Sequence, residues 1–215
     1  MRIKKLSSML LVGLLCFGLC GCNAHEDVES QIAALGEITL DSKDELDAIA
    51  SAYKELSESQ QKKVANYSDY KIALEEYDAI VYENLDTIYY EIAFTDYANH
   101  AEILIGLSKY EKYFKEGQKT GLLANYYFYE DAPQYAEKYI VSRLKSPRSY
   151  YCYSLDAKCF VVGTDEDNEH RGTVDITYGA TNSFGGEVTD ELHFSLRFKL
   201  NSDKKGITVT SSFIS

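Results

Sequence analysis

The sequence predicts an α+β protein: an N-terminal helical bundle followed by a helix packed on a four- to five-stranded antiparallel sheet. Three observations support this prediction. Apolar residues recur every three or four positions up to about residue 144, and at every second position from residue 174. No proline interrupts residues 38–130. Glycine and asparagine, which favour hairpin turns, lie between the two longest alternating segments.

Capping residues and apolar stripes predict the N-terminal helices. Ser42 and Glu45 have the spacing of a capping box. The helix that follows has an apolar stripe of Leu46, Ile49, Ala50, Tyr53 and Leu56. Ser57 and Gln60 form a second box that starts another short helix. One or two further helices are expected within residues 82–130, where many tyrosines either provide contact area or fill half-buried helix faces.

A last helix and then strands are predicted from residue 131 onward. Asp131 is expected to cap that helix, and Pro147 to end it. The predicted strands cover residues 149–154, 159–162, 174–180, 192–200 and 207–213. A short turn at 155–158 would join the first two, and a hairpin at 182–186 would join the two longest.

The first residues have the features of a secretory leader. Arg2, Lys4 and Lys5 precede an uncharged apolar segment that ends in Leu19-Cys20-Gly21-Cys22. This ending resembles the bacterial lipobox, in which the cysteine after a small residue is diacylated and becomes the first residue after cleavage. The resemblance implies lipidation at Cys22 and anchoring on the extracytoplasmic face of the cell membrane. Two acyl chains would hold the protein there stably.

The predicted organisation is a leader at 1–21, a tether at 22–37, a helical domain at 38–130 and an α+β domain at 131–215. Cleavage of the leader would remove three basic residues and lower the net charge from −12 to −15. Such a charge argues against a nucleic-acid partner, because phosphate backbones would repel the chain.

Two further segments resemble known bacterial modules. The run from Leu56 to Tyr67 is similar to a small helical module of Gram-positive surface proteins, although its Gln-Lys pair is either shifted by one place or replaced by Gln60-Gln61. Leu144-Lys145-Ser146-Pro147, taken with the later Asn182-Ser183-Phe184-Gly185-Gly186, looks like a small domain of secreted proteins, lipoproteins and phage-associated proteins. These resemblances imply a surface setting and no particular activity.

Cys152 and Cys159 are an even pair of cysteines in a compartment where disulfides can form. A turn at 155–158 would place them opposite each other, within bridging distance. They are therefore expected to form either a disulfide or two free thiols packed as small apolar groups.

Few residues point to catalysis. The acidic run at 165–170 departs from the spacing of a calcium loop and is interpreted as a solvated hairpin tip. His193 is expected on the polar face of a strand. No metal site and no cofactor are predicted.

The predicted function is that of a membrane-anchored binding or interaction module of the cell envelope. Its partner would be an envelope protein or a glycan, besides the membrane that holds the lipid. The alternative is a cell-envelope hydrolase that uses carboxylates such as Asp165, Glu169 or Asp190.

Overall fold

The computed structural model describes residues 23–160, 169–182 and 184–215. These residues form six α-helices, all in the N-terminal part, and a four-stranded antiparallel sheet. The predicted α+β fold class is thereby confirmed. The chain divides into two compact units, Met1–Ile80 and Val81–Ser215.

The first unit is helical. Its elements are α1 Ala24–Ala33, α2 Lys43–Glu55, α3 Glu58–Gln61 and the first part of α4 Tyr67–Ala93. The segment 22–37, predicted as a tether, therefore consists largely of helix α1. Val28 and Ile32 of α1 are buried, and the helix packs on α2. Burial of these two apolar side chains stabilises the ordered helix in this segment.

Capping explains where two of these helices begin. The predicted box of Ser57 and Gln60 is confirmed at the start of α3, where the Ser57 backbone N–H donates to Gln60 Oε1 at 3.0 Å. The cap predicted at Ser42 and Glu45 lies three residues earlier. Thr39 and Ser42 form that box around a 3₁₀ turn at Leu40–Ser42 that precedes α2.

The second unit contains the end of α4, then α5 Ala101–Tyr110 and α6 Glu116–Val141. The predicted domain boundary at 130/131 lies inside α6, so the chain does not divide there. Asp131 does not cap this helix; its carboxylate accepts a hydrogen bond from the Ile207 N–H at 2.8 Å. Pro133 lies within α6, where one backbone hydrogen bond is lost. Burial of the helix face around it outweighs that loss, since Phe128, Ala132 and Ala136 are fully buried.

The sheet is a meander of four strands in sequence order. The strands are β1 Tyr151–Phe160, β2 Glu169–Thr181, β3 Glu187–Leu200 and β4 Ile207–Ile214. The turn predicted at 155–158 is wrong, because β1 runs straight through it and pairs with β2 there. Leu155 and Ala157 face inward at this point, and pairing with a long neighbouring strand satisfies the backbone better than a turn without glycine.

The inner face of the sheet packs on α6. Its buried residues include Val174, Ile176, Phe194, Leu196 and Phe198. The ring of Phe128 lies 4.8 Å from that of Phe198, measured between centroids. This packing leaves the opposite, outer face of the sheet half-exposed or exposed along all four strands, except at Gly179, which lies against Tyr151.

The predicted hairpin at 182–186 is confirmed for the residues that are described there. Gly185 adopts φ +81°, a conformation that glycine reaches without steric cost. Asn182 Oδ1 accepts hydrogen bonds from the backbone N–H groups of Phe184 at 2.9 Å and Gly186 at 3.0 Å. The hairpin therefore sets the register between β2 and β3.

Within residues 23–160, 169–182 and 184–215, none of the helices combines the length and apolar character needed to cross a membrane.

Candidate functional site

The residues predicted as sites are scattered. Cys22, Asp165 and most of the acidic run lie outside the described residues. Glu169 begins β2 and pairs with Lys199, whereas Asp190 pairs with Tyr178 near the other end of the sheet. Nine strand residues separate these positions, which corresponds to roughly 30 Å. A carboxylate pair that cleaves glycosides is about 5–9.5 Å apart, so Glu169 and Asp190 do not form one.

The two cysteines do not face each other. Both lie in β1, where Cys152 pairs with Tyr178 and Cys159 with Gly172. This spacing along one strand separates them by roughly 20 Å, and both are free thiols. The structure therefore replaces the predicted opposed pair with an exposed Cys152 and a buried Cys159. Burial raises the pKa of the Cys159 thiol, and partial desolvation together with Glu137 raises that of Cys152.

A polar cluster with defined geometry lies on the outer face of the sheet. Asp175 in β2 is the cross-strand partner of His193 in β3, and Ser195 follows two residues later on the same face. The backbone of His193 exchanges both of its hydrogen bonds with Ser215 on the β4 side. The pair of Asp175 and His193 is consequently a non-hydrogen-bonded pair, the type in which side chains approach most closely.

Hydrogen bonds connect these three side chains in a row. His193 Nδ1 lies 2.5 Å from Asp175 Oδ1, and His193 Nε2 lies 3.1 Å from Ser195 Oγ. An ionised carboxylate can only accept hydrogen bonds, so the Nδ1 atom carries the proton. In the neutral imidazole Nε2 is then an acceptor and receives the Ser195 hydroxyl. Side chains of His193 and Asp175 are 42% and 41% exposed, which leaves the cluster open to solutes.

A groove of about 390 Å³ lies beside this cluster. We call it the arginine groove; its lining includes Phe160, Arg171, Thr173, Ser195, Arg197 and Phe213. Ser195 thus belongs to both the hydrogen-bonded row and the groove. Phe160 and Phe213 are 48% and 68% exposed. The groove therefore combines cationic, hydroxyl and aromatic surface.

Two like charges face each other in the groove. Arg171 and Arg197 are direct cross-strand partners, an arrangement that costs about 0.2–1 kcal/mol relative to neutral pairs. Arg197 Nη1 donates to Glu169 Oε2 at a long 3.4 Å. The pKa of Glu169 is lowered, first by a hydrogen bond from Thr210 and then by the Arg197 charge. The guanidinium groups retain capacity for a further anion, because each carries five N–H donors.

Two other histidines have different surroundings. His100 Nε2 lies 2.6 Å from Glu130 Oε1, and its Nδ1 lies 2.7 Å from the Tyr97 carbonyl oxygen. Its ring packs among tyrosines of the segment 82–130. His170 is buried, with its ring 5.6 Å from that of Phe198. The two ring nitrogens of His100 thus contact a backbone carbonyl and a carboxylate, which differs from the order of carboxylate, imidazole and hydroxyl at His193.

His193 lies on a polar strand face, as the sequence predicts, but its partners Asp175 and Ser195 were not predicted. Ser195 could have been found, since residues two apart on a strand share a face. Asp175 required the register of β2 against β3. The hairpin pairs Thr181 with Glu187, and counting outward from that pair places Asp175 opposite His193.

Among the described residues, no group of three or more histidine, cysteine, aspartate or glutamate side chains is arranged to hold a metal ion. Comparison of the chain with protein-family models, with curated proteins and with solved structures finds no match.

Proposed function

We propose that the protein is a lipid-anchored binding module of the bacterial cell envelope. Its ligand would bear a carboxylate or phosphate group beside an apolar group and would occupy the arginine groove. The lipobox-like Leu19 to Cys22 supports the location. The directly opposed Arg171 and Arg197 carry the ligand assignment.

The unfavourable pairing of Arg171 with Arg197 favours an anionic ligand. Two adjacent guanidinium groups repel each other, and an oxyanion between them would turn this repulsion into two attractive contacts. Arginine is well suited to this role, because its planar fork binds carboxylate and phosphate oxygens in pairs. In a chain with a net charge of −12, a cationic pair on an open face differs in sign from the protein as a whole.

The rim of the groove indicates what accompanies the anion. Phe160 lies opposite Arg171 on one side, and Phe213 lies opposite Ser195 on the other. Exposed aromatic side chains gain by covering apolar parts of a ligand. A peptide with a free terminal carboxylate next to an apolar side chain has this combination, and so does a phosphodiester joined to an acyl or alkyl group.

Titration calorimetry tests the proposal with acetyl-Phe-Ala, its C-terminal amide and dibutyl phosphate, a phosphodiester with alkyl groups, as probes. We expect saturable binding of acetyl-Phe-Ala or of dibutyl phosphate, weakened by added salt, and no binding of the amide. The substitutions Arg171→Gln and Arg197→Gln should each lower the affinity about tenfold or more, since each removes charged hydrogen bonds.

Arg148→Gln is the matched control. Arg148 lies in the exposed 3₁₀ turn Pro147–Ser149, away from the arginine groove. This variant has the same change of net charge and should bind like the wild type. Equal losses in all three variants would mean that the net charge, and not the groove, attracts the anion. Failure of both anionic probes to bind would refute the ligand assignment.

A further inference from the structure

We propose that Ser195 is an activated nucleophile and that Asp175, His193 and Ser195 form an acyl-transfer centre acting on carboxylic esters. The covalent chemistry at Ser195 uses the two arginines as hydrogen-bond donors to a transient oxyanion, and it does not require a stable complex of the groove with an anionic ligand. It starts from the order of the three groups: carboxylate, imidazole and hydroxyl, joined by hydrogen bonds of 2.5 and 3.1 Å.

Each group has the contacts that its role requires. A serine hydroxyl is a weak nucleophile unless a base removes its proton as it attacks. His193 Nε2 lies within hydrogen-bonding distance of the Ser195 Oγ atom and can accept that proton. Asp175 bonds the opposite ring nitrogen, which holds the imidazole in the correct tautomer and stabilises the imidazolium once it forms.

Asp175, His193 and Ser195 lie on β-strands and not on loops. All three lie on paired strands in the middle of the sheet, and β3 is hydrogen-bonded on both sides. Sites on regular strands are held more precisely than sites on loops. Ser195 also lines the arginine groove, so a substrate carbonyl can approach it from the open face.

The negative charge that develops on the carbonyl oxygen needs hydrogen-bond donors. Around Ser195, the backbone N–H groups of β3 are committed to the neighbouring strands β2 and β4. The arginines take this role instead, because Arg197 lies two residues from Ser195 on the same face and both arginines line the groove. Arg197 and Arg171 are therefore positioned to stabilise the tetrahedral intermediate.

The reaction consists of two balanced steps. First, Ser195 Oγ bonds to the acyl carbon while its proton passes to His193 Nε2. The ester C–O bond then breaks, and the alcohol leaves with that proton. Second, water gives a proton to His193 and attacks the acyl-serine. The carboxylic acid is released, and the proton returns from His193 to Ser195.

The full chain can be assayed with p-nitrophenyl acetate and with a fluorophosphonate probe. We expect release of p-nitrophenol with turnover, and a covalent adduct on the tryptic peptide 172–197 at Ser195. The substitution Ser195→Ala should abolish the adduct and lower the rate about 10²–10⁴-fold. His193→Gln should lower the rate to a similar degree, and Asp175→Asn should lower it by at least tenfold.

Ser154→Ala is the control, because Ser154 is an exposed serine of β1 that pairs with Thr177 and does not line the arginine groove. It should react like the wild type. An exposed imidazole can cleave activated esters by itself, so one result separates the two explanations. If Ser195→Ala retains the rate while His193→Gln loses it, the nucleophile is histidine and the proposal is overturned. Absence of both turnover and adduct overturns it as well, whatever the anion-binding titrations give.

Discussion

Gly172 of β2 lies against Phe128 of α6, and a side chain added at this glycine should destabilise the protein by a predictable amount. A Cβ atom added there would lie 2.3 Å from Cζ of Phe128 and 2.9 Å from the backbone oxygen of Lys158. Phe128 is completely buried, and its ring packs against that of Phe198. Neither obstacle can move into solvent, so Gly172→Ala should strain the core.

The expected magnitude follows from two opposing effects. Overpacking a filled core costs about 1–3 kcal/mol. Replacement of glycine by alanine in a strand stabilises the folded protein by about 0.4–1 kcal/mol, because the unfolded chain loses conformational freedom. The free energy of unfolding should therefore fall by about 1–2 kcal/mol, which lowers the Tm of a unit of this size by about 3–10 °C.

Gly179→Ala is the matched control in the same strand. Its added Cβ would lie 2.5 Å from Cζ of Tyr151. Tyr151 is 36% exposed, so the far end of its ring can swing outward. The clash should be relieved at little cost, and stability should change by less than about 1 kcal/mol.

Urea unfolding followed by circular dichroism, together with thermal melts, measures both variants. A double mutant of Gly172→Ala with Phe128→Leu provides a second test. Phe128→Leu should cost about 1–2 kcal/mol alone. The double mutant should lose about 1 kcal/mol less than the sum, since the smaller side chain makes room for the methyl group. Wild-type stability of Gly172→Ala, or strict additivity, would refute the packing argument.

Three further predictions concern thiols, folding units and anchoring. In native protein an alkylating reagent should modify the exposed Cys152, and it should modify the buried Cys159 only after unfolding. The raised pKa of Cys152 means that its thiolate forms, and the alkylation becomes complete, only at a higher pH than for free cysteine. A disulfide found by mass spectrometry before reduction would contradict this. The fragment 131–215, which lacks more than half of α6, should be unfolded by circular dichroism, whereas the fragment 81–215 should unfold cooperatively. A folded 131–215 would support the domain boundary expected from the sequence. Cys22→Ala should abolish acyl labelling and membrane retention, and unchanged labelling would exclude Cys22 as the lipid site.

Local patterns predicted much of the fold. The capping box at Ser57, the alternation in β2 and β3 and the hairpin around Gly185 are all present in the structure. These features depend on neighbours a few residues away, and such interactions are encoded directly in the sequence. The same patterns failed at 155–158 and at Asp131. At the first, pairing with β2 extended the strand. At the second, α6 continues past both Asp131 and Pro133, because burial of a whole helix face stabilises it there.

The sequence by itself determined the fold class, the acidic charge and the lipobox-like start, because composition and short-range periodicity specify them. Only the tertiary structure decided which polar residues meet. Asp175 and His193 are 18 residues apart in the chain, and strand register alone brings them to 2.5 Å. A shift of that register by one residue would turn Asp175 to the other face. The sequence predicted the hairpin only to within residues 182–186, and the exact pairing of β2 with β3 is decided by the geometry of that turn and by the packing of the whole sheet.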